Sequence, residues 1–164
     1  MKRYAVIACL VWLWLWSMHA HAAEPPKILQ GLASVVDGDT MKVLGKRIRL
    51  FGIDAPERRF AGRWDAQPGA DAAGATLSEL CEGKQVTVIS RGWDRYRRIV
   101  GDVYTVDLWI NHEMVSRGHA WWSEKYAPHS LKLASAQIAA MQSKLGLWSQ
   151  PTPIEPWVWR KRRR

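Results

Sequence analysis

Cysteine is nearly absent from this chain. Of its 164 residues only Cys9 and Cys81 are thiols, and Cys9 lies in a segment that reads as a leader. A protein left with Cys81 alone has no internal disulfide and must hold together by packing. Histidine is also sparse: His112, His119 and His129 show no ligand spacing, which argues against a zinc centre. The single long apolar run, Ala5 to Trp16, is too short to cross a bilayer, which takes about 20 such residues. No internal repeat is present, so solenoids and propellers are excluded.

That apolar run has another use. Lys2 and Arg3 precede it and Ala20-His21-Ala22 follows it, a positive start, an apolar middle and a small-x-small end. Residues 1–22 therefore read as a signal peptide, with an uncleaved anchor as the alternative. The remainder is long enough for one domain with a real core. Cys81 falls at a core position of an expected helix, as a small buried hydrophobe.

The formal charge of +9 is unevenly placed. Lys2 and Arg3 leave with the leader, and five further cations form Arg160-Lys161-Arg162-Arg163-Arg164. The body is close to neutral, with basic residues gathered at Lys46, Arg47, Arg49, Arg58, Arg59 and Arg63, and at Arg91, Arg95, Arg97 and Arg98. Arginine clusters beside acids suggest a phosphate site. The tail suggests loose polyanion attraction or a solvated end, with none of its charges in the site.

Strand-like alternation appears around Val35-Val36, Met41 to Leu44, Arg47 to Leu50, Gln85 to Ser90 and Arg98 to Tyr104. Gly45-Lys46 suits a tight hairpin, and Arg47 and Arg49 share one strand face opposite Ile48 and Leu50. Ala73, Leu77, Leu80 and Cys81 predict a helix ended by Gly83. Asn111 is expected to cap a short helix carrying Met114 and Val115, closed by Gly118. Leu131, Ala134, Ile138, Met141 and Leu145 give an amphipathic stripe stopped by Gly146. Pro151, Pro153 and Pro156 should prevent further regular structure, although Trp157 and Trp159 could pin the end to the body. The order predicts an α+β fold: a five-stranded OB-type Greek-key barrel with about three helices. A half-open sheet with packed helices is the alternative.

Asp37, Asp39 and Asp54 are hard oxygen donors at strand ends, with Glu57 close behind; such donors select calcium or magnesium over zinc. A lone Asp-Gly-Asp is usually only a turn. The combination is more specific. Val36-Asp37-Gly38-Asp39-Thr40, then Arg49 to Glu57 (RLFGIDAPE), then Asp94-Arg95-Tyr96, with Gly118-His119-Ala120 and Gly146-Leu147-Trp148 later, resembles the staphylococcal nuclease family from about Val35 to Trp148. The resemblance implies a calcium-dependent nuclease acting on DNA and RNA, and divides the chain into a leader (1–22), a nuclease domain (23–149) and a basic tail (150–164). It implies calcium ligation by Asp39, Asp54 and the Ala55 carbonyl, with Asp37 acting through water. Glu57 would orient or deprotonate the attacking water, Arg49 and Arg98 would grip the phosphate, and Tyr96 and Tyr126 would contact the nucleotide. It further implies a monomer with no stable protein partner and no membrane span once the leader is removed. The allocation makes physical sense, since a phosphodiester repels nucleophiles until cations share its charge. Arginine's planar fork suits phosphate oxygens better than lysine.

Three departures stand out. Ala55 replaces the family's calcium-adjacent threonine, Arg97 and Ile99 replace glycines around the second arginine, and residues 58–68 differ in length and composition. The rival reading is a non-catalytic nucleic-acid-binding OB module, which would be expected to lack some of Asp39, Asp54, Glu57, Arg49 and Arg98. A third reading, a periplasmic interaction protein, draws only on the leader and the tail.

Overall fold

The computed structural model describes residues 24–59 and 65–162. The leader, Arg63 and the last two arginines lie outside the described residues.

Alternation in the sequence becomes a barrel. In β1 (Ile28–Val35) Leu29, Gly31 and Ala33 turn inward while their neighbours face out. β2 (Thr40–Val43) and β3 (Lys46–Leu50) form the first hairpin, with Val43 paired to Lys46. Its turn residues are Leu44 and Gly45, both at positive φ, 49° and 72°, so the turn sits one residue earlier than Gly45-Lys46 suggests. Two left-handed residues in a two-residue loop match the right-handed twist of the flanking strands. After β4 (Ile53–Asp54), strands β5 (Gln85–Trp93) and β6 (Ile99–Tyr104) complete a closed order β1-β2-β3-β6-β5. All pairs are antiparallel except β3 with β6. This is the expected five-stranded Greek-key barrel.

Met41, Val43, Ile48, Leu50, Val86, Val88, Ile99 and Val103 fill the barrel and are fully buried or nearly so. Each such side chain contributes about 1.5–3 kcal/mol on transfer from water. Helix α1 (Ala70–Cys81) adds Leu77, Leu80 and Cys81 to the same core, and Gly83 at φ 67° follows its end as expected.

Beyond the barrel come α2 (Ile110–Ser116), β7 (Trp121–Trp122), α3 (Leu131–Gln142), a 3₁₀ turn at Gly146–Ser149 and α4 (Pro156–Lys161). β7 pairs with β4 in a separate two-stranded sheet that fixes Asp54 opposite Trp121. Four α-helices are thus present among the described residues, where about three were expected. The extra one is α4, for which Pro156 is no obstacle because it occupies the start of the helix, where no N–H partner is needed. No helix among the described residues is long and apolar enough to cross a membrane.

Two helix expectations need correction. Asn111 lies inside α2 rather than at its cap, which is Trp109. It is fully buried, accepts from Val103 N at 2.9 Å and donates to Phe51 O at 2.9 Å and Gly101 O at 3.2 Å. It stitches the helix to the barrel strands and to the loop that leads into β4. In α3 the buried residues are Leu133, Ala136 and Ala140, whereas Leu131, Ile138, Met141 and Leu145 are exposed. Alanines let this helix approach its neighbours closely, and the larger apolar residues are left on the outer face.

The link between α3 and the body depends on Gly118 and Gly146. Leu147 N donates 2.8 Å to Gly118 O, and a Cβ on Gly146 would stand 2.4 Å from that oxygen. Backbone meets backbone at a distance that no side chain permits.

Candidate active site

Gly38 shapes the first half of the site. A Cβ there would meet the Ala73 and Ala55 methyls at 2.7 and 2.8 Å, so the Asp37-Gly38-Asp39 turn is pressed between α1 and the strand-ending loop. Asp39 N donates to Asp37 Oδ1 at 3.2 Å, Thr40 Oγ1 donates to Asp39 Oδ1 at 2.9 Å, and Ala55 N approaches Asp39 Oδ2 at 3.3 Å. Asp39 and Asp54 are both buried, 6% and 4% exposed. Buried carboxylates demand cationic or hydrogen-bonding partners.

Arg49 is the first such partner. From the half-buried face of β3 it donates 2.7 Å to Asp39 Oδ2 through Nη1 and 2.7 Å to Asp54 Oδ1 through Nη2. Burial alone would lower its pKa, but Asp39 and Asp54 hold it above its already high ordinary value. Asp37, behind this pair, is pushed up to about 6 by burial and by the neighbouring Asp39 charge.

Arg98 lies in the turn between β5 and β6, one residue before β6 begins at Ile99. β3 and β6 run parallel, with Arg49 opposite Val100. Asp94 holds Arg98, accepting from its Nε at 2.6 Å. Tyr96 lies beside Arg98, its ring centroid 5.6 Å from the guanidinium carbon, and is largely exposed. Tyr126, also exposed, has Lys125 over its ring at 5.4 Å and no described contact with the carboxylate cluster.

Glu57 is partly buried and its pKa is raised by that burial, against the opposing pull of Arg160. Its backbone N–H donates 3.0 Å to Oε1 of Gln67, and Gln67 N returns a 2.8 Å bond to Glu57 O. Gln67, itself buried, also donates through Nε2 to Ile154 O at 2.6 Å.

Arg160 was not expected here. It donates to Asp54 Oδ1 at 3.2 Å and Oδ2 at 2.6 Å, and its Nη1 also donates to Glu57 Oε1. The tail thus places a charge inside the site, contrary to its reading as a solvated appendage. Gln67 was missed too, because it lies in an irregular stretch with no periodic signal.

The donor set can be tested against a divalent cation. Among the described residues no three or more His, Cys, Asp or Glu side chains gather closely enough to hold a metal alone. Asp39 and Asp54 converge on the same guanidinium, and Ala55 adjoins Asp39. The carboxylates of Asp39 and Asp54 are hard oxygen donors, a chemistry that suits calcium or magnesium rather than zinc.

A model of the staphylococcal nuclease homologues matches residues 47–150. The chain belongs to that family. Relatives of this nuclease family include an "Uncharacterized endonuclease" of Escherichia coli, 42% identical over 172 aligned positions that cover 99% of this chain and all of the relative. Another "Uncharacterized endonuclease", from Haemophilus influenzae, is 36% identical over 79% of this chain and 71% of its own length. "Staphylococcal-like nuclease CAN1" of Arabidopsis thaliana is 37% identical over 75% of this chain but only 36% of itself.

Proposed function

We infer that the protein is an exported, calcium-dependent nuclease hydrolysing phosphodiester bonds of DNA and RNA. One observation carries the reading: buried Asp39 and Asp54 converge on Arg49, and Glu57 is joined to Asp54 through Arg160. The naming of relatives as endonucleases supports the activity. Export rests on the leader-like residues 1–22, with the periplasm or the medium as destination.

Each side chain has a task set by its surroundings. Arg49, from β3, and Arg98, from the turn before β6, offer guanidinium groups to the phosphate oxygens and share the extra negative charge of the transition state. Glu57, with its main chain held by Gln67 and its carboxyl raised by burial, accepts a proton from the attacking water. Asp39, Asp54 and the Ala55 carbonyl would hold calcium, with Asp37 reaching it through water. When bound, the ion supplies Lewis acidity and charge neutralisation at the phosphate. Tyr96, beside Arg98, and Tyr126 would contact the terminal phosphate or stack near the nucleotide.

The purified protein should cleave labelled DNA and RNA with calcium and lose that activity in excess chelator. Undiminished cleavage in chelator would refute the calcium requirement. No cleavage of either polymer under any cation would favour the non-catalytic binding module.

A further inference from the structure

The C-terminal helix has an arrangement that polyanion attraction does not explain. Trp157 sits edge-on to Trp121, centroids 5.9 Å apart, and Trp121 in turn packs against Trp148 at 4.3 Å. Upstream, Ile154 O is tied to Gln67, and Pro156 is buried at the start of α4. Three residues after Trp157, close to one helical turn, comes Arg160, so the anchored face also carries the charge.

What Arg160 reaches is specific. Its two terminal nitrogens take both oxygens of Asp54, and one of them also meets Glu57. Arg49 approaches the same Oδ1 of Asp54 from β3 at 2.7 Å. Asp54 is therefore covered by guanidinium on both sides. A divalent cation ligated by Asp54 needs an oxygen that Arg160 holds, and positive charges a few ångströms apart in a half-buried site repel strongly.

We propose that Arg160 is a resident counter-cation of the active site, delivered by α4 as a strap, and that a divalent cation must displace it from Asp54 in order to bind. This rests on the calcium site inferred above. Cation binding and strap release are then linked equilibria: whatever loosens the strap tightens the cation, and the cation in turn loosens the strap. The chain is built to hold its catalytic carboxylates paired until calcium arrives, a fitting arrangement for a nuclease exported from a cell whose own nucleic acids it could cut.

The test measures calcium alone, without substrate. Titration calorimetry compares the purified wild type with Arg160→Gln, which keeps the polar stem but removes the charge, and with Trp157→Ala, which weakens the anchor. Calcium affinity should rise roughly tenfold in Arg160→Gln, the scale of ordinary coupling between linked sites. The rise should be smaller in Trp157→Ala. In the wild type, calcium should speed amide hydrogen exchange of residues 157–161. Equal or weaker calcium binding by Arg160→Gln, or exchange in 157–161 that calcium leaves unchanged or slows, would overturn the strap while leaving the calcium site standing. Absence of calcium binding in all three proteins would overturn both.

Discussion

Arg98 donates from Nε to Oδ2 of Asp94 at 2.6 Å, and its own backbone N–H donates to the other oxygen of the same carboxylate at 2.9 Å. Tyr96 N shares that second oxygen at 2.8 Å. Burial alone would raise Asp94, but these bonds from Arg98 and Tyr96 hold its pKa below the usual value. One carboxylate thus shapes the turn between β5 and β6 and aims the arginine that leaves it. Nε is engaged, and on the proposed function the terminal fork is the part that meets a phosphate.

On the proposed function Asp94 is a positioning residue, acting through Arg98. Arg98→Ala should lower the catalytic rate by about 10²–10³, the usual cost of one transition-state charge contact. Asp94→Ala should lower it by less, since the guanidinium persists but is no longer aimed. The comparison is of kcat at saturating DNA for both variants. Unchanged kcat in Arg98→Ala would remove Arg98 from the chemistry and leave Asp94 as a turn residue alone.

Arg97 explains how the turn tolerates the loss of a family glycine. Its φ is 60°, in the left-handed region that a side chain normally disfavours, and its guanidinium carbon lies 5.5 Å from the Trp93 ring centroid. The left-handed conformation costs roughly 1–2 kcal/mol for a residue with a Cβ. The stacking returns about 0.5–1 kcal/mol at an exposed site. Arg97→Gly should leave the fold intact and raise stability by at most about 1 kcal/mol. Urea denaturation at fixed calcium measures it. A loss of stability would show that the arginine's contacts outweigh the strain.

How much of this was legible in the sequence varies with scale. Alternation in Lys46–Leu50 placed Arg49 correctly on the half-buried face of β3, because a strand's period of two leaves no freedom once Ile48 and Leu50 enter the core. Motif order singled out Asp39, Asp54, Glu57 and Arg98, and the structure brings Asp39 and Asp54 together on Arg49 and links Glu57 to Asp54 through Arg160. Helix α3 went the other way. Ranking by hydrophobic size picks Leu131, Ile138 and Met141, while close packing picks Leu133, Ala136 and Ala140. Asn111 shows the same limit: its residue type favours a cap, but its partners, Phe51, Gly101 and Val103, all lie outside its helix. Arg160 was hidden among five consecutive cations that look interchangeable. The available signal was Trp157 three residues earlier, a large apolar anchor on the same helical face.

Cys81 is expected to be chemically silent. It is fully buried, donates to Leu77 O at 3.1 Å, and burial pushes its thiol up to about 12 from an ordinary 9.0. A thiol raised in the folded state holds its proton when the unfolded chain has begun to lose it. Its contribution to stability is complete below about pH 9 and declines as pH rises from there through about 12. The native protein at pH 8 should resist an aromatic disulfide reagent that reacts promptly in guanidinium. Fast native-state reaction would mean that α1 opens locally far more often than its packing implies.

Gln67 makes the most demanding test, since it holds two parts of the site at once. Its Oε1 accepts from Glu57 N at 3.0 Å and its Nε2 donates to Ile154 O at 2.6 Å, in a position only 3% exposed. Gln67→Met preserves length and volume while removing both bonds, and each buried partner left unpaired costs about 1–3 kcal/mol. The melting temperature should therefore fall. A role in packing alone would stop there, and the rate of the protein that remains folded would be normal. Because Glu57 takes its main-chain position from this side chain, kcat should also fall, by an amount smaller than for Glu57→Gln, with KM little changed. Loss of stability with a normal kcat at a temperature where the variant is fully folded would reduce Gln67 to a structural staple. Loss of kcat with KM preserved would place it among the residues that aim the base.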